Sequence, residues 1–560
     1  MTLNEIKTPA DIKKMNADEL TALCAELRKE ITAVTLKNGG HLASNLGAVE
    51  LTVALHYIFD APDDKILFDV GHQCYAHKLL TGRADRFKDL RKQGGVSGFV
   101  NASESPFDAA DAGHAGTALP SAAGYMRAEV LSGLNNRIVA VVGDGAFPNG
   151  LTQEALNDIT SVPHNLLLIL NDNGMTISGS TGMISERLKE SGDIFSEYGF
   201  RYAGSLDGHD LQEMILTFGQ LKTLDGHVAV RVNTLKGKGY APAESAPESF
   251  HSVAPPIDFF ASELGKTLSD MALKNDKITV VTAAMKKGAG LSDFARRFPS
   301  RFFDVGIAEG YAVAMSAALA RGGYRPYVAI YSTFLQRAFD QILHDVLPDS
   351  LPVTFLIDRS GFVGGDGETH QGVFDISYLS LMPNMTVLAP KNKAELKKML
   401  AWTESFGGTV AIRYPKSAGK NEDACGEVAF GKWDVKTSAP TVAILTAGAK
   451  CYEIGRKVEQ IMLKNGIMCS VVNAKFIKPL DKKALVTLSD SLIVTVEDNV
   501  LQGGFGQAVS SFFRGRGLNV EMINIGVENG FLPTADEDEL AEYCRMSPAL
   551  IAGRILSYMK

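Results

Sequence analysis

Short apolar runs alternate with segments of helical periodicity along almost the whole chain. The runs 138–142 and 166–170 carry no polar residue, the pattern of strands buried on both faces of a parallel sheet. Between them 151–160 places apolar residues at helical spacing, so this stretch reads as a βαβ unit. Upstream, Asn16 with Glu19 forms a capping box, and Leu20, Leu23, Leu27, Ile31 and Val34 follow on one helical face. A second helix is expected over 49–58, and a strand ends within 65–74. Another strand is expected over 228–232. Further strands are expected at 278–282, 302–305, 327–331, 353–357, 386–388 and 409–413, then at 441–445, 470–472, 492–496 and 520–525. Helical patterns separate most of them. The Pro-, Ser- and Glu-rich stretch 241–256 and the stretch 418–427 read as linkers. The expected fold is therefore α/β, with three doubly wound domains at 1–256, 257–420 and 421–560.

The polar residues that interrupt this pattern concentrate at the ends of the strands, where open α/β sheets bind ligands. Gly143-Asp144-Gly145 closes one strand of the βαβ unit and Asn171-Asp172-Asn173 closes the other. The glycines let backbone approach a bulky anion. Asp144 and Asn173 offer hard oxygen ligands that suit Mg²⁺ or Ca²⁺, and Mg²⁺ commonly arrives with phosphates, so a diphosphate is the expected third party. Either tripeptide alone also occurs as a plain turn; the pair at adjacent strand ends carries the signal. His41, His72 and His114 each follow a glycine at the end of an element, where loops carry chemistry; a structural role in its turn is the other reading for His41. The loop 178–182 reads as flexible, and the Gly/Lys loop after Leu235 reads either as a phosphate contact or as a solvated loop. Glu309 follows a strand and is favoured by a helix dipole. The loop 357–372 brings Arg359, Asp366 and His370 together with several glycines, and Arg359 and Arg413 are guanidinium forks suited to a phosphate. Gly503-Gly-Phe-Gly506 lacks the full dinucleotide spacing and reads as a tight strand-to-helix turn.

Composition changes this picture little. The formal charge of −8 argues against nucleic acid as the main partner. The six cysteines form no metal or disulfide spacing and read as reduced thiols of a cytoplasmic protein. No apolar stretch is long enough for a bilayer, so no membrane partner is expected. All 11 histidines fall between His41 and His370, which places acid–base chemistry in the first two-thirds of the chain.

The paired strand ends resemble the thiamine-diphosphate motif of the transketolase superfamily. Longer motifs narrow the likeness: His41-Leu-Ala-Ser-Asn-Leu-Gly, Asp69-Val-Gly-His-Gln, Phe303-Asp-Val-Gly-Ile-Ala-Glu, Val328-Ala-Ile-Tyr-Ser-Thr-Phe-Leu-Gln-Arg-Ala and Gly365-Asp-Gly-Glu-Thr-His-Gln-Gly resemble the 1-deoxy-D-xylulose-5-phosphate synthase family. The resemblance covers nearly the whole chain. It implies two thiamine-diphosphate-binding layers of transketolase type plus a C-terminal domain, in a homodimer. The implied activity is a decarboxylating condensation of pyruvate with glyceraldehyde 3-phosphate, a step toward isoprenoid precursors, thiamine and pyridoxal.

The resemblance also implies a set of site residues. Asp144, Asn173 and the carbonyl of Met175 would hold Mg²⁺. His72, His114, Gly143, Asp144, Gly145, Ala146, Asn173, Glu309 and Phe334 would bind thiamine diphosphate, with Glu309 on N1′ of the pyrimidine and Phe334 against its ring. His41, His72, Glu309, Asp366 and His370 would be catalytic. Tyr331, Arg359 and Arg413 would grip the acceptor phosphate, and His41, Asp366, His370 and His251 would also contact substrate. The chain departs from the family at Gly310-Tyr311, where Gln-His is usual, and at Gly113-His-Ala-Gly-Thr-Ala118, where Gly-His-Ser-Ser-Thr-Ser is usual. It also has Asn101-Ala102 in place of a basic residue, and a short segment over 179–192. These departures leave open a related transketolase-superfamily enzyme with another donor or acceptor, and a catalytically silent paralogue.

Overall fold

A computed structural model describes residues 2–175, 182–190, 193–253, 260–417, 421–437 and 439–560, in the second stretch without the side chain of Lys189. The expected flexible loop, apart from Gly182, and both expected domain boundaries lie outside the described residues. The chain forms two compact units, Met1–Pro256 with Gly365–Thr369, and Ile257–Gly364 with His370–Lys560.

The first unit is built on five parallel strands: β1 (Lys65–Phe68), β2 (Ile138–Gly143), β3 (Leu166–Asp172), β4 (Arg201–Asp207) and β5 (His227–Asn233), in the order β1-β2-β3-β5-β4. Val139, Val141, Leu167, Ile169, Val228, Val230 and Val232 point into one large core, and the intervening residues of β2 and β3 are equally buried on the other face. Burial on both faces is why these strands read as unbroken apolar runs. The helices Ala17–Asn38, capped by Asn16 and Glu19, and Val49–Ile58 lie where the periodicity predicts them. β4 was not expected. Its exposure alternates along the edge of the sheet, so it has no apolar run to announce it.

The expected first linker is instead part of this unit. Ala241–Ser245 is a short helix, and Val253 exchanges backbone hydrogen bonds of 2.9 and 2.8 Å with Gly40. The Ala43 N–H donates to the Phe250 carbonyl at 2.9 Å. Phe250 and Val253 also pack against the core and Ala243 is fully buried, so the stretch is held by both backbone pairing and apolar contact.

The second unit contains two sheets. β6 (Ile278–Thr282), β7 (Phe302–Asp304), β8 (Arg325–Tyr331), β9 (Thr354–Asp358), β10 (Thr386–Leu388), β11 (Val410–Arg413) and β14 (Phe476–Lys478) form one, in the order β14-β10-β11-β9-β8-β6-β7. β12 (Val442–Ala447), β13 (Cys469–Asn473), β15 (Leu492–Val500) and β16 (Met522–Val527) form the other, all parallel, in the order β13-β12-β15-β16. β14 comes from the expected third domain yet pairs antiparallel with β10, and the second and third sheets share one unit. β14 was not expected from the sequence. No described helix is long and apolar enough to cross a membrane.

Candidate functional site

In the first unit the parallel register sets Gly143 opposite Asn171, so Asp144 and Asn173 emerge at neighbouring strand ends, about 5 Å apart in the pairing direction. Asp144 is buried, and the Asn173 side-chain oxygen also accepts the Met175 N–H at 3.1 Å. A side chain at Gly143 would meet open space, so the backbone there is accessible to a bulky group. Asp144 carboxylate, Asn173 amide oxygen and Met175 carbonyl form an all-oxygen donor set that fits Mg²⁺ with phosphate oxygens. Asp172 does not compete for that role: it pairs with Arg231 at 2.7 Å and accepts the Gly174 N–H at 2.8 Å. Asn171 holds Gln73 at 2.9 Å and Thr234 at 2.7 Å.

Lys236, in the Gly/Lys loop, is buried; burial pushes its pKa down, while Asp144 and Glu248 oppose that shift. Lys236 is thus buried rather than solvated, with Asp144 among the charges that act on it. The sequence offered only the loop composition as a signal for it.

Three histidines converge in the same unit. The His41 and His72 ring centroids lie 5.2 Å apart, and His251 lies 5.5 Å from His41 and 5.7 Å from His72. Phe99 packs 5.4 Å from His41. Burial pushes the pKa of His251 well down, and the charges of Lys236, His41 and His72 push it further, so its imidazole is neutral at pH 7. Val70 and Gly71 both adopt positive φ just ahead of His72, and a side chain at Gly71 would collide with Ala112 and Val100. That turn requires glycine.

The His114 Nε2 lies 3.0 Å from the Thr369 carbonyl. Its turn is fixed by Asp69, whose two carboxylate oxygens accept the N–H groups of Gly116 and Ala118 at 2.8 and 3.0 Å. Gly116 has φ +85°, and a Cβ there would lie 2.3 Å from Asn149 Oδ1, which gives a physical reason for glycine at this departure from the family. Asp366 forms a 2.6 Å ion pair with Arg91. Neither Arg91 nor the role of Asp69 was foreseen, because nothing in their local sequence marks them as partners.

In the second unit, Glu309 opens the helix Glu309–Arg321. Burial pushes its pKa up, with its own backbone N–H and Arg337 acting the other way. A ladder of expected residues stands beside β8. Arg359 lies over the Tyr331 ring at 3.9 Å, Tyr331 stacks on Phe334 at 5.8 Å, and His370 meets Phe334 edge-on at 5.7 Å. Arg359 donates to the Gly288 carbonyl at 3.1 Å and pairs with Asp358. Its φ of +57° is left-handed for a non-glycine residue, the kind of strain retained at functional positions. Asp366 is grouped with the first unit and His370 with the second.

Arg413 corrects the expectation of two open phosphate forks. Its guanidinium is 2% exposed; Nε donates to both oxygens of Asp375 at 3.1 and 3.0 Å and Nη1 to Asp498 at 2.8 Å. Asp498 belongs to β15, whose contribution to this cluster no local pattern announces. Only Nη2 of Arg413 has no hydrogen-bond partner among the described residues. Tyr311, at the other departure, is 60% exposed.

The family model for 1-deoxy-D-xylulose-5-phosphate synthase matches residues 3–193 and 186–234, the transketolase pyrimidine binding domain matches 260–421, and the transketolase C-terminal domain matches 431–551. The 1-deoxy-D-xylulose-5-phosphate synthase of Clostridium acetobutylicum is 41% identical over 607 aligned residues, covering 98% of each chain. That of Carboxydothermus hydrogenoformans is 42% identical over 96% of each chain, and that of Dictyoglomus thermophilum 41% identical over 100% of this chain and 99% of its own. An alignment of 607 residues exceeds the 560 of this chain, so the relative carries residues this chain lacks; the first family match breaks at 186–193, beside the short segment. With identity at this level over nearly its full length, the chain belongs to the 1-deoxy-D-xylulose-5-phosphate synthase family, transferases of the transketolase type.

Proposed function

We propose that the protein condenses pyruvate with glyceraldehyde 3-phosphate, releasing CO₂ and forming 1-deoxy-D-xylulose 5-phosphate, with thiamine diphosphate and Mg²⁺ as cofactors. The product would feed isoprenoid, thiamine and pyridoxal synthesis. Family membership supports the reaction class. The single observation that carries the cofactor reading is Glu309: a carboxyl buried at a helix start, with its pKa raised.

When bound, thiamine diphosphate supplies an electron sink that a protein side chain cannot. Asp144, Asn173 and the Met175 carbonyl would hold the metal, and the backbone at Gly143, Gly145 and Ala146 would face the diphosphate, with His114 and Lys236 beside them. Glu309 would share a proton with a ring nitrogen of the pyrimidine. Burial raises its pKa, the direction that favours holding a proton to share with a ring nitrogen. Phe334 would fix ring orientation by stacking.

His41, His72 and neutral His251 would bind and orient the donor, and His72 would also contact the cofactor. Asp366 and His370 would orient substrate and move protons. Arg359, held flat on Tyr331, would bind the acceptor phosphate through its remaining donors.

Incubating the pure protein with thiamine diphosphate, Mg²⁺, pyruvate and glyceraldehyde 3-phosphate, and identifying the product by NMR and mass spectrometry, tests the proposal. The expected product is 1-deoxy-D-xylulose 5-phosphate. Exposed Tyr311 in place of the family's histidine motivates a second arm with unphosphorylated aldehydes. No preference for the phosphorylated acceptor would replace this reading with that of a relative acting on another acceptor.

A further inference from the structure

His41 and His72 sit on different loops, one opening the helix Leu42–Gly47 and the other following β1, and a single side chain ties the two. Asn45 Nδ2 donates to the His41 carbonyl at 2.6 Å and to the His72 carbonyl at 2.7 Å. Its Oδ1 accepts the Tyr75 N–H at 2.8 Å, at the start of the helix Tyr75–Leu80. Tyr75 adds a second tie, its hydroxyl accepting the His41 N–H at 3.1 Å. Asn45 is 1% exposed, so water cannot readily replace it.

We propose that Asn45 is a positioning residue that sets the separation and orientation of the His41 and His72 imidazoles for the donor. This rests on the function proposed above for those histidines. The chemistry selects asparagine specifically. Both amide hydrogens are used, each on a different loop, and the amide oxygen takes a third partner. Aspartate would keep the acceptor for Tyr75 but set a carboxylate against two carbonyls. Alanine would remove all three of these hydrogen bonds from a buried site, where lost partners are costly. Small misplacement of a group that orients substrate costs rate out of proportion to the distance moved.

The test compares wild type with Asn45→Ala, Asn45→Asp and Asn45→Ser in the full-length protein with thiamine diphosphate and Mg²⁺. The expected result is a fall in kcat of about ten- to a hundredfold in Asn45→Ala and Asn45→Asp. Asn45→Ser, whose hydroxyl restores one donor, should fall between them and wild type. Activity is read per folded molecule, below the unfolding temperature of each variant, and with its pH profile. A second readout does not require turnover: NMR of histidine-labelled protein should show the His41 and His72 resonances shifted and His344, exposed in the other unit, unmoved. Unchanged His41 and His72 resonances with wild-type kcat would overturn the proposal, as would a loss of melting temperature alone. If the wild type makes no product, the proposed function fails, and the resonances alone decide whether Asn45 positions the pair. Should Asn45→Ala not fold, Asn45→Ser carries the same comparison.

Discussion

The strand ends of the first unit and those of the second meet opposite electrostatic demands. At β2 and β3, charge is kept and balanced: Asp144 has Lys236 near it, and Asp172 is matched by Arg231. At β7 to β11, charge is suppressed or locked. Burial pushes Glu309 and Asp358 upward, and Arg413 is committed to two aspartates. Both regions are ends of parallel strands, and both carry carboxylates and basic residues. The sharpest contrast is between Asp144, on which buried Lys236 acts, and Glu309, where burial outweighs Arg337 and raises the pKa.

The largest effect should come from breaking the charged side. Asp144→Ala should abolish Mg²⁺-dependent binding of thiamine diphosphate, and Asp172 cannot take its place because Arg231 and the Gly174 N–H already engage it. Calorimetric titration measures this; unchanged affinity would dismiss the metal assignment. Arg413→Ala should act on stability before chemistry. Removing one partner of a buried ionic cluster costs about 3–5 kcal/mol, so the variant's denaturant midpoint should drop well below that of wild type. An Arg413 serving only as a surface clamp would leave the midpoint unmoved.

Glu309→Ala probes the suppressed side. Thiamine diphosphate should still bind, while exchange of its C2 proton, followed by NMR in D₂O, should slow about a hundredfold or more. Wild-type exchange would reduce Glu309 to a helix-end carboxylate. Arg359→Ala should remove a charge-assisted contact to the acceptor phosphate at about 1.5–3 kcal/mol, roughly ten- to a hundredfold in kcat/KM for the phosphorylated aldehyde, with pyruvate handling little changed. An equal loss for unphosphorylated aldehydes would place Arg359 away from the phosphate.

The smallest effect concerns Glu497, a buried carboxyl that accepts the N–H groups of Phe505 and Gly506 at 2.7 and 2.8 Å. Burial pushes its pKa up to about 8 from an ordinary 4.5. The folded protein therefore holds the proton more tightly than the unfolded chain does. Its stabilising contribution is complete below pH 4.5 and is lost as pH rises toward about 8. Glu497→Gln, which cannot ionise, should flatten the decline of melting temperature across that window by a few degrees. An identical decline in both proteins would mean that Glu497 does not titrate there.

Much of the fold was legible because it is written in apolar periodicity. Fully buried strands such as β2, β3, β9 and β12 leave unbroken apolar runs, and the helix from Ala17 is announced by its cap. Asp144, Asn173, Glu309 and the three glycine-flanked histidines could be singled out because each combines a polar type with a strand or loop end. β4 and β14 escaped, β4 because its exposure alternates along the sheet edge. The stretch 241–253 escaped because backbone hydrogen bonds, which no residue type encodes, help hold it against Gly40 and Ala43.

The sequence by itself therefore determined the α/β class, the positions of most strands and the chemical types available at their ends. Hydrophobic burial is periodic along the chain, and strand ends are punctuated by glycine and polar residues. Only the tertiary structure decided which of those types face one another. It set His251 beside both His41 and His72, paired Arg91 with Asp366, and committed Arg413 to a buried cluster with Asp375 and Asp498. Those pairings join residues distant in sequence. Charge and hydrogen bonding act over a few ångströms of space, whatever the number of residues between the partners.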